Sequence, residues 1–194
     1  MKKLFLVFLG IYFLLGLRAQ EETEIQTLFG QGQIKLSGFG GPFMNFSLID
    51  GKFAHLMGGG GAILINDFFF GGYGMGLTNS IGFEGTSGNE LAFGHGGFWL
   101  GYNFMSKKLI HPSFHMQLGW GKISEREPSG PALEKGDNIF VIIPTLELEM
   151  NITKYFKISA GGNYRFVAFI DDENYSESDF MNPGVFLGFK FGWF

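Results

Sequence analysis

The chain has 194 residues, 14 of them basic and 18 acidic, and no cysteine, which excludes disulfides, thiolate metal sites and a cysteine-linked lipid anchor. A formal charge of −4 without clustered lysine or arginine argues against nucleic acid as a partner. Charged residues make up only 16% of the chain, against a usual ~25%, while 32 glycines and 25 phenylalanines point to a folded, aromatic-rich chain rather than a disordered one.

Residues 1–20 read as an export signal. Met1-Lys2-Lys3 is the positive start, Leu4 to Leu17 the apolar run, and Leu17-Arg18-Ala19 the cleavage region. The apolar run is shorter than the ~20 residues a spanning helix needs. Residues 21–31 are polar and read as a periplasmic lead segment. From residue 32 onward, eight extended segments follow at 32–47, 52–66, 68–82, 91–104, 109–122, 138–151, 155–169 and 180–194. Asn66-Asp67, Met105-Ser106-Lys107-Lys108 and Asn151-Ile152-Thr153-Lys154 are tight turns. The connections at 83–90, 123–137 and 170–179 are long, and Ile49-Asp50-Gly51 is the short exception on their side. Short turns at one end and long loops at the other are the pattern of an outer-membrane barrel.

The last segment is the most telling. Val185, Leu187, Phe189, Phe191 and Trp193 alternate onto one face, with Phe186, Gly188, Lys190 and Gly192 on the other. Alternation alone also fits a soluble β domain, but a soluble surface needs ~25–35% charged residues. The eight segments offer only Lys35, Lys52, Lys122, Glu147, Glu149, Lys157, Arg165 and Lys190. Lipid resolves this, accepting the apolar face while the few polar side chains turn inward. A faint repeat, Ile34-Lys35-Leu36-Ser37-Gly38 and Phe156-Lys157-Ile158-Ser159-Ala160, agrees with construction from hairpins.

From residue 32 to Phe194 the chain resembles the small OmpA/OmpX-like eight-stranded outer-membrane barrels of Gram-negative bacteria. The resemblance implies an all-β, up-and-down antiparallel transmembrane β-barrel inserted by the barrel assembly machinery. It also implies a carboxyl-terminal insertion signal, here Phe189, Phe191, Trp193 and Phe194. The aromatic set is shifted by one residue from the usual outward positions, which fall on Lys190, Gly192 and Phe194.

With the apolar set facing lipid, the lumen is expected to receive Gln33, Lys35, Ser37 and Asn45, then His55 and Met57, then His95, Trp99 and Asn103. His111, Ser113, His115, Gln117, Thr145, Glu147, Glu149, Lys157, Ser159, Asn163, Arg165 and Lys190 complete the set. Lys35, Glu147, Glu149, Lys157, Arg165 and Lys190 form the expected charge network. An ion-selective gate is one use for it. An eight-strand barrel is just wide enough to be filled by its own side chains, so mutual pairing is the simpler one. Gly58 to Gly61 lacks the lysine and helix of a phosphate loop. Inward glycines, with Gly72, Gly74 and Gly76 on one face, are expected to make room for Phe39, Phe43, Phe68, Phe70 and Trp99.

His111-Pro112-Ser113 echoes the His-x-Ser of outer-membrane lipid A deacylases. Its nearest acid in the following sequence, Glu125, would lie ~40 Å away at the other end of the strand, too far for catalysis. The histidines have no acidic ligand set, so neither a metal nor a cofactor is expected. Asp171, Asp172, Glu173, Glu177 and Asp179 form an acidic outer-loop cluster, with Glu125, Glu127, Glu134 and Asp137 in a second loop. Such residues could bridge lipopolysaccharide phosphates through divalent cations; solvated loops are the simpler reading. The expected protein is a non-enzymatic monomer in contact with outer-membrane lipid and lipopolysaccharide. It acts as a structural or surface-interaction module, the alternatives being a narrow channel and a lipid-modifying enzyme or hydrophobic-ligand carrier.

Overall fold

The computed structural model describes residues 34–82, 88–127, 132–171 and 175–194, of which 132–135 by backbone alone. The signal and lead segment expected over 1–31 lie outside the described residues. Strands β1 (Leu36–Ile49), β2 (Lys52–Ile65), β3 (Phe68–Leu77), β4 (Glu90–Asn103), β5 (Ile110–Arg126), β6 (Ala132–Thr153), β7 (Phe156–Tyr164), β8 (Phe166–Ala168) and β9 (Pro183–Trp193) are joined by tight turns and longer loops. A short helix, α1 (Glu177–Phe180), lies in the last loop. No described helix is long and apolar enough to cross a membrane.

Every neighbouring pair is antiparallel, and β1 pairs with both β2 and β9, which closes the sheet into a ring. Strands β7 and β8 continue one register along β6, so the ring has eight staves. The break between them falls at Arg165, opposite Ile143, where the neighbouring Pro144 has no N–H to offer the ladder. The Arg165 N–H donates to the Asn182 carbonyl at 3.0 Å, one step on from the Tyr164–Pro183 pair of β7 and β9.

The stagger of the ring can be read from paired residues. Starting at Glu149, partners run through Ser159, Gly188, Phe43, Gly58, Met75, His95 and Gly121, returning to β6 at Ile139, ten residues away. With ~3.4 Å per residue and ~4.8 Å between strands, that shear tilts the strands by about 40° and gives a radius of roughly 8 Å. Each residue then rises ~2.5 Å along the barrel axis.

The outward face of β6 reads Phe140, Ile142, Pro144, Leu146, Leu148, Met150 and Ile152, an apolar band about 30 Å tall at that rise. Leu146 and Leu148, with Ile63, Trp120, Val185, Phe191 and Trp193 elsewhere on the ring, are exposed. Among the described strand residues, Glu90, Lys122, Arg126 and His55 are the outward charged or histidine side chains, and all stand towards the long-loop end.

The extended segments appear where the alternation places them, with four differences. The third strand ends at Leu77, and the seventh is split at Arg165. The connection expected over 123–137 is largely strand, because β5 runs to Arg126 and β6 begins at Ala132. The fourth difference is phase. Asp50 and Gly51, both at positive φ, form a two-residue turn that pairs Ile49 with Lys52. That pairing sends the even residues of β2 inward, so His55 and Met57 face outward instead of into the lumen. On β3 the same logic turns Phe68, Phe70, Gly72, Gly74 and Gly76 outward, leaving Phe69, Gly71, Tyr73 and Met75 inside.

Candidate functional site in the barrel lumen

Four levels follow one another up the lumen, because inward residues on neighbouring strands are offset by the same stagger. Near the short turns lies a charged level. Lys190 Nζ donates to Glu147 Oε1 at 2.6 Å and to Glu149, and Lys157 Nζ donates to Glu149 Oε2 at 3.2 Å. His111 Nε2 is 3.3 Å from Glu149 Oε2, and His115 Nδ1 is 3.4 Å from Glu147 Oε1. All six side chains are buried. Two carboxylates and two ammonium groups balance, which is what a desolvated cluster requires.

The cations also sit against aromatic faces. Lys190 Nζ is 5.4, 5.5 and 5.7 Å from the rings of Phe39, Phe69 and Trp99, and Lys157 Nζ is 4.2 Å from that of Phe194. Phe194 therefore turns into the lumen, stacked on Phe39 at 5.9 Å, while Phe191 and Trp193 are exposed on the outer wall.

The second level is a cross-braced aromatic layer. Phe43 lies 5.4 Å from Trp99 and 5.7 Å from Phe186, and His115 lies 4.9 Å from Phe186. Inward glycines accommodate it: a Cβ on Gly60 would stand 3.0 Å from the Trp99 ring, and one on Gly119 would stand 2.3 Å from the Tyr73 hydroxyl. Beside the rings, β5, β6 and β7 present Gln117, Thr145 and Asn163, whose side-chain polar atoms lack protein partners. The lumen is thus aromatic on one wall and polar on the other.

The third level is set by Arg165, which is 1% exposed. Its Nε donates to the Phe180 carbonyl at 2.8 Å, Nη1 to Ser47 Oγ at 3.0 Å and Nη2 to the Leu48 carbonyl at 2.8 Å. It stacks 5.3 Å from the Phe93 ring. The fourth level is aliphatic. Ile49, Leu91, Ile123, Ile139, Val141 and Val167 surround Phe180, which projects inward from α1 and closes the long-loop mouth.

The expected charge network is therefore divided. Glu147, Glu149, Lys157 and Lys190 come together, and the histidines His111 and His115 join them. Arg165 does not, because it lies three inward positions above Ser159 on the β7 side, nearly 20 Å along the axis from Glu149 at this tilt. Lys35 does not either. It has inward parity but precedes β1 and stays exposed, its N–H bound to Asn66 Oδ1.

At the His-x-Ser pair, Ser113 Oγ donates to Asn103 Oδ1 at 2.9 Å. Glu125 accepts from Asn89 Nδ2 at 2.6 Å at the opposite end of β5. In the outer loop, Glu177 accepts from the Phe169 N–H and Asp179 from the Ser176 N–H and hydroxyl, so both carboxylates shape the loop. Asp171 is exposed and its N–H donates to Asp137 Oδ2; Asp172 and Glu173 lie outside the described residues. The alternation does not mark Phe180. For the aromatic cage around Lys190 the inward parity of Phe39 and Trp99 is the one signal, Phe69 falling on the outward face in the phase read from the sequence.

No protein-family model and no curated protein matches the sequence. Among solved structures, Neisserial surface protein A aligns with a TM-score of 0.61 at 12% identity, covering 82% of this chain and 99% of that one. The attachment invasion locus protein Ail of Yersinia pestis, in complex with the heparin analogue sucrose octasulfate, aligns with a TM-score of 0.51 at 17% identity, covering 84% and 100%. The fold is that of the small eight-stranded outer-membrane β-barrels. Identities this low speak for the fold alone.

Proposed function

We propose that this chain is an integral outer-membrane protein of a Gram-negative bacterium, exported by its amino-terminal signal. In this reading it holds its long-loop end at the cell surface as a structural and interaction module. The observation that carries it is the uncharged outward band, about 30 Å tall, wrapped round a ring without edges; that height matches a bilayer hydrocarbon core. The aromatic and aliphatic levels packed inside the described barrel support a filled lumen in this reading. The short turns then face the periplasm, where Lys190 and its partners serve as a packed ion cluster.

At the long-loop end the described charges are mostly acidic, with Glu90, Glu125, Glu127, Asp137, Asp171, Glu177 and Asp179 against Lys122, Arg126 and a Lys52 that pairs with Asp50 at 2.7 Å. Ail was solved with a sulfated heparin analogue. The acidic rim favours a cationic or neutral partner here, and lipopolysaccharide contact through divalent cations. Insertion by the assembly machinery, through Phe189, Phe191, Trp193 and Phe194, and a monomeric state belong to the same reading.

Three measurements test it. Refolded protein, verified by a gel shift between unheated and boiled samples, is expected to stay silent in a planar bilayer and to pass unretained over immobilised heparin. Whole cells are expected to expose loop 169–182 to added protease. Discrete conductance would replace the filled barrel with a channel lined by Glu147, Glu149, Lys157 and Lys190. Loops protected in intact cells and cleaved only in broken ones would reverse the orientation.

A further inference from the structure

Arg165 is buried without a counter-charge. Among the described residues no carboxylate lies within salt-bridge distance of it, whereas each lysine of the lower cluster touches one. Its guanidinium carries five N–H groups, and the three bonds it makes go to neutral oxygens. An unneutralised cation in an apolar interior is costly, and buried charges are ordinarily paired. Directly above it, the aliphatic level forms an apolar sleeve of Ile49, Leu91, Phe93, Ile139, Val141 and Val167. The sleeve is filled by the Phe180 side chain, 5.3 Å from the Phe93 ring. The residue that occupies the sleeve is also the one whose carbonyl occupies the guanidinium.

We propose that the Arg165 level and the sleeve above it form a binding site for a hydrophobic monocarboxylate, with Phe180 as the built-in competitor. The ligand's carboxylate takes the guanidinium bonds now given to the Phe180 and Leu48 carbonyls, and its alkyl chain takes the place of the Phe180 ring. A carboxylate suits the guanidinium because the planar fork binds it through two parallel charge-assisted bonds. Monovalency follows from a single cation, and an alkyl or aryl body follows from a sleeve lined mainly by aliphatic side chains and the Phe93 ring. Entry is from the long-loop mouth. Loop 175–182 moves aside, breaking the Arg165 bond to Phe180 and the Asp50 N–H bond to the Asp179 carbonyl. The site needs the closed barrel but neither the surface partner nor the orientation proposed above.

The test uses the refolded full chain in lipid nanodiscs, each variant first shown to be folded by its heat-dependent gel shift. Radiolabelled decanoate is the probe, decanol its uncharged counterpart, and empty nanodiscs the partition background. Saturable binding of decanoate at about one per chain is expected, with decanol not exceeding background. Arg165→Gln is expected to weaken decanoate binding roughly tenfold or more, as loss of a charge-assisted fork should. Phe180→Ala removes the competitor and is expected to tighten binding, an effect that a purely structural role for Phe180 does not produce. The proposal is overturned by decanol binding as well as decanoate, by an unchanged Arg165→Gln, or by absence of saturable binding in both wild type and Phe180→Ala.

Discussion

Lys190→Met is the most informative single change in the lower lumen. Lys190 Nζ serves Glu147 at 2.6 Å and Glu149 as well, whereas Lys157 reaches Glu149 alone, at 3.2 Å. Methionine keeps the volume and the aromatic contacts but leaves two buried carboxylates sharing one ammonium. Glu147 would then retain only His115, 3.4 Å away. Breaking one buried pair costs ~3–5 kcal/mol, and here two carboxylates lose a partner at once, so the upper end is expected. Adding Glu147→Gln restores a one-to-one balance between Glu149 and Lys157. The double variant is therefore expected to recover part of the loss, with a coupling energy of about 1–3 kcal/mol. Urea titration of folding into phospholipid vesicles, read by the heat-dependent gel shift, measures all three variants against wild type. If Lys190→Met costs less than ~1 kcal/mol and the second change adds to the loss, the cluster is hydrated rather than buried, since exposed pairs contribute only that much. The packed-lumen argument would fail with it.

Leu146→Arg tests the lipid-facing wall, because Leu146 stands midway between Phe140 and Ile152 in the apolar band and is 62% exposed. It is expected to cost ~2–4 kcal/mol in vesicle folding, as a cation at the bilayer midplane does, whereas the same change on a water-facing strand would be nearly neutral. Gly60→Val and Gly74→Val separate the two faces. A Cβ at Gly60 meets the Gly72 carbonyl at 2.6 Å and the Trp99 ring at 3.0 Å, so a loss of ~1–3 kcal/mol is expected; at Gly74 nothing lies within 4 Å, and the change is expected to fall within ~0.5 kcal/mol of wild type. Equal losses at both would refute the assignment of faces. Glu90→Gln removes a partly exposed bond to Arg126, 2.7 Å long, and is expected to leave the folding midpoint in the same assay essentially unmoved.

How far the sequence carries can be traced through individual residues. The period-2 alternation is strong on the last strand, where an unbroken run from Val185 to Trp193 faces out, and the structure has the same run outward. It is weak on β2, where four glycines in a row, Gly58 to Gly61, carry no side chains to read. There the phase is set by the turn instead. Asp50-Gly51 pairs Ile49 with Lys52, so the inward Asn45 lies beside Phe186 on one flank and Leu56 on the other. Counting from that turn would have turned His55 and Met57 outward. Of the lumen charges, Glu147, Glu149 and Lys157 were legible because one tight hairpin joins their strands. Lys190 meets them through β7, which lies between β6 and β9 in the ring, and a shared inward parity is what brings it there.

Arg165 shows where strand-by-strand reading stops. Its parity is inward, like that of Lys157, and nothing local distinguishes the two. What separates them is eight residues of one stave, about 20 Å along the axis at this tilt, which puts Arg165 among aliphatic side chains instead of carboxylates. The loop that meets it there contributes a carbonyl and a phenyl ring, neither of which a charge pattern can reveal. Pro144, three positions along β6 from the inward Val141 and facing Tyr164, interrupts the ladder beside Arg165. The Arg165 N–H goes to Asn182 and its side chain to Phe180, so this one residue ties the last loop to the mouth of the barrel. An arginine held this way by neutral oxygens is the one buried charge of the described lumen that no described carboxylate pairs.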